Sequence, residues 1–112
     1  MSPAFFKWWV LVLALASGHA CAGDGNPDRE RQGELIRLIR HDCGSCHGLT
    51  LAGGLGPALL PDTLRGRPAQ SLAQTILHGR AGTPMPSWGR FVSEAEAEWM
   101  VQQLMKGLPD AR

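Results

Sequence analysis

Apolar residues recur at helical spacing in three segments of the chain, and no segment shows the alternating pattern of a strand. The first helix is predicted to begin at Asn26, which can cap it, with Pro27 in its first turn. It should run from Glu30 to about His41 and end at the cysteines that follow, with Gly44 and Gly48 helping the break. One side of this helix is apolar, formed by Leu35, Leu38 and Ile39.

The last helix has the clearest predicted start, a capping box over Ser93 to Glu96. In this motif the serine oxygen accepts a hydrogen bond from one free amide, and the glutamate reaches back to another. Gly107 should close the helix. An apolar stripe runs along it, formed by Ala97, Met100, Val101, Leu104 and Leu108.

A middle helix is predicted from Ala69 to Leu77, with Gly79 as its stop. Glycine and proline interrupt any periodic pattern in residues 48–68, and a second loop runs through Thr83 to Pro86. The pattern therefore predicts an all-α fold of three to four helices. Loops this long favour a domain that wraps something large over a simple helical bundle.

The length of the chain allows one domain, and its balanced charge argues against one class of partner. The chain has 112 residues, with 11 basic against 10 acidic side chains. A nucleic-acid-binding domain would carry a dominant basic stripe, so we expect no nucleic-acid partner. A domain this small buries only a thin core of its own, which a large apolar cofactor would complete.

The N-terminal segment has the form of a secretory signal peptide. An apolar run from Trp8 to Ala16 follows a lysine, and small residues lead to Ala20-Cys21-Ala22. The run is about half as long as a membrane-spanning helix, so a retained anchor is the weaker alternative. We predict that residues 1–22 are removed and that residues 23–112 form the exported, soluble domain. Lipid attachment at Cys21 is the other alternative.

The chemistry of the chain is concentrated in Cys43-Gly44-Ser45-Cys46-His47, a C-x-x-C-H motif. Two thiols at this spacing can each add across one of the two vinyl groups of haem, and the histidine that follows then stands under the iron. Cys43 and Cys46 are therefore predicted to hold one haem covalently. His47 is predicted to bind its iron as an axial ligand.

Three other interpretations of the cysteine pair compete with haem. A thioredoxin-type redox site would require a βαβ setting, which the sequence pattern does not show. A zinc site would require a second pair of ligands at metal-binding spacing, which is missing from the sequence. A structural disulfide is compatible with the spacing, but export and the adjacent histidine favour haem over it.

The haem iron needs a sixth ligand, and five side chains are candidates: Met85, Met100, Met105, His41 and His78. Met100 and Met105 lie on the last helix, where a methionine more often fills the core. His41 is too close to the haem-binding turn, whereas His78 ends the middle helix and could reach the iron. Met85 is favoured because the prolines on both sides stiffen its loop. An open sixth site is the remaining alternative.

His47 should donate its second ring N–H to a backbone carbonyl, as metal-binding histidines generally do. The predicted acceptor is the carbonyl of Pro57, in the Gly56-Pro57 pair. This hydrogen bond would fix the orientation of the ring. The alternative is that Pro57 is only a turn residue.

The chain resembles a class I cytochrome c in four features: the motif from Cys43 to His47, Gly56-Pro57, Met85-Pro86 and an aromatic residue in the last helix. The resemblance covers nearly all of the predicted mature chain. It implies helices around one haem, with the first and last helices crossing, and it implies His47 and Met85 as axial ligands. That family usually has a small residue about two turns before the first cysteine, where Leu35 stands here.

Four short blocks carry a closer resemblance: His41 to Thr50, Gly53 to Pro57, Thr75 to Leu77 with Gly79, and Ser93 to Ala97. They are similar to the cytochrome c-55X type, small periplasmic cytochromes encoded beside cytochrome cd1 nitrite reductase in denitrifying bacteria. The resemblance implies a periplasmic electron-transfer protein, not an enzyme, which donates electrons to that reductase. It also allows a role in maturing the haem d1 of the reductase. A haem-based sensor with an open sixth site is the third hypothesis, and we expect a monomer without stable membrane insertion.

Charge is distributed unevenly along the sequence. Between the C-x-x-C-H motif and the last helix, the sequence has one acidic residue, Asp62. The same stretch has four arginines: Arg65, Arg67, Arg80 and Arg90. We predict that this basic segment guides docking onto an acidic patch of a redox partner and so raises the association rate. The alternative is that one or two of the arginines pair with the haem propionates.

Overall fold

The helices of the computed structural model, which describes residues 25–109, lie in the order that the sequence predicts. The first helix, α1 (Arg29–Leu38), continues through one π-helical turn (Ile39–Cys43) into α2 (Gly44–His47), so that the three form one helical run. Three further helices follow: α3 (Pro61–Leu64), α4 (Ala69–His78) and α5 (Glu94–Lys106). No strand occurs in the described part of the chain, and the predicted all-α fold is confirmed.

The first helical run departs from its predicted bounds at both ends. Its cap is Asp28 and not Asn26, because the carboxylate of Asp28 accepts a hydrogen bond from the backbone N–H of Arg31 at 2.9 Å. The run does not end at the cysteines, because Gly44 takes helical backbone angles. It ends at Gly48, where φ reaches 91°. The cysteine pair therefore lies on the last turns of a helix.

The segment predicted to be loop-like, residues 48–68, contains no long helix, but it includes the short helix α3. Pro61 begins this helix, since proline suits a first position that needs no amide donor. Leu64 at its other end is buried in the core, which gives the short helix its packing. The middle helix α4 matches its prediction to within one residue, and Gly79 follows it as predicted.

The capping box predicted for α5 is present. The backbone N–H of Glu96 donates to the Ser93 hydroxyl at 3.1 Å, and the backbone N–H of Ser93 donates to the Glu96 carboxylate at 2.9 Å. The helix ends before Gly107. Its buried face contains the predicted stripe apart from the half-buried Leu108, and consists of Ala97, Trp99, Met100, Val101 and Leu104.

The core joins α1, the π-helical turn, α3, α4 and α5, with the most extensive packing between α4 and α5. α1 also contacts α5, and the side chains of Leu35 in α1 and Ile39 in the π-helical turn are fully buried. A Cβ atom on Gly33 would meet only the Arg37 guanidinium, so the glycine points away from the core. Leu35 therefore occupies the core at the position where the resemblance implied a small residue.

No helix within residues 25–109 is long and apolar enough to cross a membrane. The predicted signal peptide, residues 1–22, lies outside the described residues.

Arg31 joins the start of α1 to the start of α5. Its guanidinium donates to both carboxylate oxygens of Glu96, at 2.7 and 3.1 Å, and to the carbonyl of Phe91 at 2.8 Å. The guanidinium also donates a hydrogen bond to Glu34, which lies on α1 like Arg31 itself. The hydrogen bond from Arg31 is the largest cause that lowers the pKa of Glu96 below its ordinary value.

The substitution Glu96→Gln should remove a stabilisation that depends on pH. Because folding lowers the pKa of Glu96, its contribution is complete above the ordinary value of 4.5 and is lost as pH falls through the lowered pKa. Both side chains are partly exposed, so we expect a loss of about 1 kcal/mol in the free energy of unfolding at pH 7. Urea unfolding of the wild type and the variant from pH 7 to 3 measures this difference. Glu98→Gln, an exposed position on the same helix, is the control, and a difference that does not shrink as pH falls would contradict the ion pair as its source.

Candidate haem-binding site

A cavity of about 630 Å³ lies between the end of the first helical run, α3, α4 and α5. Its volume is within the range of ~300–1,000 Å³ that is usual for cofactor and small-molecule pockets. All five side chains and groups predicted for the site line it: Cys43, Cys46, His47, Pro57 and Met85. Most of the remaining wall is apolar and includes Leu64, Leu72, Ile76, Trp88, Val101 and Leu104.

The two cysteines lie on successive turns at the helix end. Cys43 is the last residue of the π-helical turn, an irregularity that often marks functional sites, and Cys46 follows in α2. Both are free and partly buried. Burial, with a smaller effect from the Asp42 carboxylate, raises the pKa of the Cys43 thiol to about 11. At neutral pH Cys43 is therefore the protonated thiol and not the thiolate that binds metal ions.

His47 is held by a single hydrogen bond from its ring. Its Nδ1 atom lies 2.7 Å from the carbonyl oxygen of Pro57. Because a carbonyl oxygen can only accept, Nδ1 carries the proton in this contact, and Nε2 keeps a lone pair for a metal. The geometry has the form predicted for an iron-binding histidine, and the binding of iron itself stays a prediction.

The loop after α2 folds back on the helix end that carries His47. The N–H of Gly53 donates to the carbonyl of His47, and the N–H of Gly56 donates to the carbonyl of Cys46, both at 2.8 Å. These hydrogen bonds satisfy carbonyls that the end of the helix leaves free. The loop comes so close that a Cβ atom on Gly56 would lie 2.7 Å from two atoms of the His47 ring. Glycine is therefore required at position 56 for steric reasons.

The structure separates the five candidates for a sixth ligand. Met85 and Met100 line the cavity, whereas His41, His78 and Met105 do not. The Nε2 atom of His78 is instead hydrogen-bonded to the side chain of Gln74 at 3.0 Å. Met100 is 1% exposed and packed in the core of α5, whereas Met85 is half-buried in a loop. Two methionines therefore remain as candidates for the sixth ligand. Met100 is part of the core, and Met85 is not.

The four arginines predicted as a basic segment lie in different surroundings. Arg67 and Arg80 line the cavity, and Arg90 does not. Arg65 pairs with Asp62 at 2.6 Å, and both side chains are exposed. The positive charge at the cavity therefore comes from two arginines and not from four.

Two competing interpretations of the cysteine pair lack the surroundings they need. Within residues 25–109 no group of three or more His, Cys, Asp or Glu side chains could hold a metal ion, which disfavours zinc. The described part contains no βαβ unit, which disfavours a thioredoxin-type site. An apolar cavity beside two thiols and a histidine with a free Nε2 fits a covalently attached haem.

Sequence reasoning missed Trp88 as part of the site. Trp88 lies in a loop, where no periodic pattern marks inward positions, yet it lines the cavity. Its ring stands 5.9 Å from the exposed ring of Phe91, centroid to centroid. The only available signal was the tryptophan itself, a large side chain three residues after Met85.

The chain is similar to several c-type cytochromes. The family described as cytochrome C oxidase, cbb3-type, subunit III matches residues 30–103. Cytochrome c55X of Pseudomonas aeruginosa is 50% identical over 100 residues, which cover 89% of this chain and 84% of that protein. The solved structure of the c-type cytochrome NirC is 54% identical, with a TM-score of 0.71, and the match covers 73% of this chain and 96% of that one.

A shorter match joins the chain to an enzyme. The dihydro-heme d1 dehydrogenase of Pseudomonas aeruginosa is 41% identical over 73 residues, which cover 64% of this chain and 15% of the enzyme. The enzyme thus contains a segment similar to about two thirds of this chain.

The substitution Gly56→Ala should displace His47 from its present position. The new methyl group would collide with the ring, so the ring or the loop must move and the hydrogen bond to Pro57 is lost. We expect a stability loss of about 1–3 kcal/mol, as for other overpacked sites, and a lower yield of haem-containing protein. Gly33→Ala, which meets only a flexible arginine end, is the control. Wild-type haem yield and melting temperature in Gly56→Ala would contradict the close approach.

Proposed function

The chain belongs to the cytochrome c55X family of c-type cytochromes, and on this basis we propose that it carries single electrons on one covalently attached haem. Cys43 and Cys46 hold the haem through thioether bonds, and His47 and Met85 are the axial ligands of its iron. The haem supplies the redox chemistry, and the protein supplies burial, ligands and orientation. The mature protein, residues 23–112, acts in the periplasm.

The observation that carries this proposal is the arrangement of donors around one apolar cavity. Both thiols, the His47 ring and the Met85 side chain line the same cavity. The hydrogen bond from Nδ1 of His47 to Pro57 leaves Nε2 as the ring nitrogen available for iron. An electron carrier needs ligands that stay in place when the iron changes charge, and a fixed histidine meets that need.

Methionine as the second ligand favours electron transfer over sensing. A thioether raises the reduction potential relative to a second histidine and leaves no open position for a gas. Met85 is half-buried at the cavity wall and lies between two prolines, so its loop has little backbone freedom. These features support a carrier with six ligands in both redox states.

The proposed partner is cytochrome cd1 nitrite reductase, to which the protein donates electrons. Leu55 lines the cavity and is 91% exposed, so it marks the place where the cavity opens to solvent. Arg67 and Arg80 lie on the same cavity. An exposed leucine and two positive charges on one cavity suit the small, charge-guided contacts of redox partners.

A second candidate function is favoured by the match to dihydro-heme d1 dehydrogenase. A segment similar to this chain is part of an enzyme that acts on a precursor of haem d1. The present protein could therefore exchange electrons during maturation of that cofactor. A deletion strain separates the two roles: a maturation role predicts nitrite reductase without haem d1, whereas a donor role predicts complete reductase with slow nitrite reduction.

The substitution Met85→Ala should remove the sulfur–iron charge-transfer band of the oxidised protein and lower the reduction potential, since the thioether favours ferrous iron. The same variant should bind carbon monoxide in the reduced state, whereas the wild type should not. Met100→Ala and Met105→Ala are the matched controls and should keep the band. Visible spectra and redox titration measure these properties. If Met85→Ala keeps the band and Met100→Ala loses it, the assignment of Met85 as the ligand is wrong. Carbon monoxide binding by the wild type would favour a sensor.

Electron transfer to nitrite reductase should slow as salt concentration rises, because screening weakens the attraction of opposite charges. Arg67→Gln and Arg80→Gln should be slower than the wild type at low salt and should converge with it at high salt. Arg90→Gln is the control, since Arg90 does not line the cavity. Stopped-flow rates, corrected for any change in potential, test this. A rate that does not depend on salt would contradict docking through these arginines.

A further inference from the structure

The loop that carries Met85 is anchored at both ends to the last turn of α4. At its start, Gly79 donates its N–H to the carbonyl of Thr75 at 2.8 Å. At its end, the N–H groups of Trp88 and Gly89 donate to the carbonyls of Ile76 and Leu77, at 3.0 and 3.1 Å. The hydroxyl of Ser87 also donates to the carbonyl of Leu77. The residues between these anchors, Arg80 to Pro86, have no regular secondary structure to hold them.

Within this loop the hydroxyl of Thr83 makes two hydrogen bonds to backbone groups. It donates to the carbonyl of Arg80 at 2.7 Å. It accepts from the N–H of Met85 at 3.3 Å. One hydroxyl thus connects the first half of the loop to the residue that carries the thioether.

The flanking prolines make the second of these hydrogen bonds important. Pro84 and Pro86 have no N–H, so Met85 has the only backbone donor among these three residues. That donor is bonded to Thr83. The carbonyl of Met85 accepts from the N–H of Arg80 at 3.4 Å, a contact of similar length. The Thr83 hydroxyl is therefore the side-chain group that holds the N–H of Met85.

We propose that Thr83 is a positioning residue, whose hydroxyl holds the Met85 loop closed so that the thioether stays on the iron. This inference rests on the proposed function, in which Met85 is the sixth ligand. Thr83 acts through the backbone of Met85 and does not bind the iron. The prolines restrict the shape of the loop. The N–H and the hydroxyl of Thr83 both donate to the carbonyl of Arg80, at 3.1 and 2.7 Å, and the hydroxyl also accepts from the N–H of Met85.

The size of the expected effect follows from the exposure of Thr83. The side chain is exposed, so water can replace its partners and each hydrogen bond contributes modestly. The loss of both should weaken methionine ligation by about tenfold. Global stability should change little, because the side chain is not part of the core.

The experiment measures imidazole binding to the oxidised, haem-loaded protein, in which imidazole must displace the methionine. Thr83→Val keeps the shape of the side chain and removes the hydroxyl, and it should bind imidazole about tenfold more tightly than the wild type. Its sulfur–iron band should disappear at a lower temperature, ahead of global unfolding. Thr83→Ser keeps a hydroxyl and should restore wild-type behaviour. Thr63→Val is the matched control, because Thr63 is another exposed threonine of the same cavity.

The outcomes separate this inference from the proposed function. Wild-type imidazole affinity and wild-type band melting in Thr83→Val would overturn the role of Thr83. Equal changes in Thr83→Val and Thr83→Ser would also overturn it, since the hydroxyl would then be irrelevant. If the wild type has no sulfur–iron band, or if Met85→Ala keeps it, the ligand assignment fails whatever Thr83 does.

Discussion

The hydrogen bond between the His47 ring and the Pro57 carbonyl is the contact on which the site depends most. It spans ten residues of a loop that contains no helix, and it determines which ring nitrogen is available to a metal. The loop can approach the ring only because position 56 is a glycine. The same loop also satisfies the free carbonyls of Cys46 and His47. One short segment thus caps the helix end and orients the proposed ligand.

The loop that carries Met85 is held by hydrogen bonds to a helix end, as the loop beside His47 is. The last carbonyls of α4, those of Ile76 and Leu77, accept hydrogen bonds from Trp88 and Gly89 as the chain returns. The loop enclosed by these contacts carries Met85. His47 therefore ends a helix, and Met85 lies in the loop that follows one; in both places the loop donates hydrogen bonds to the free carbonyls of the helix end. This arrangement gives both proposed ligands fixed positions, although the described core is small.

Much of this architecture could be predicted from sequence, and the failures have physical causes. The bounds of α5 could be predicted because the capping box and Gly107 are local signals, each contained within a few residues. The start of α1 was misplaced because Asn26 and Asp28 can both cap a helix, and only the three-dimensional structure shows which carbonyl or carboxylate meets the free amides. The π-helical turn has no sequence signal, so the helix was expected to end too early. At the site, the C-x-x-C-H spacing is specific, whereas the choice among methionines and the position of Trp88 depend on which residues reach the cavity.

The central claim is that one haem is attached at Cys43 and Cys46 and that its iron lies between His47 and Met85. A crystal structure of the oxidised protein, purified with its haem, tests this most directly. The account predicts thioether bonds from both cysteines and iron bound by Nε2 of His47 and the sulfur of Met85. It also predicts that Nδ1 of His47 still donates to Pro57 and that Met100 remains in the cavity wall without touching the iron. Iron bound by Met100, by His78 or by solvent in place of Met85 would contradict it.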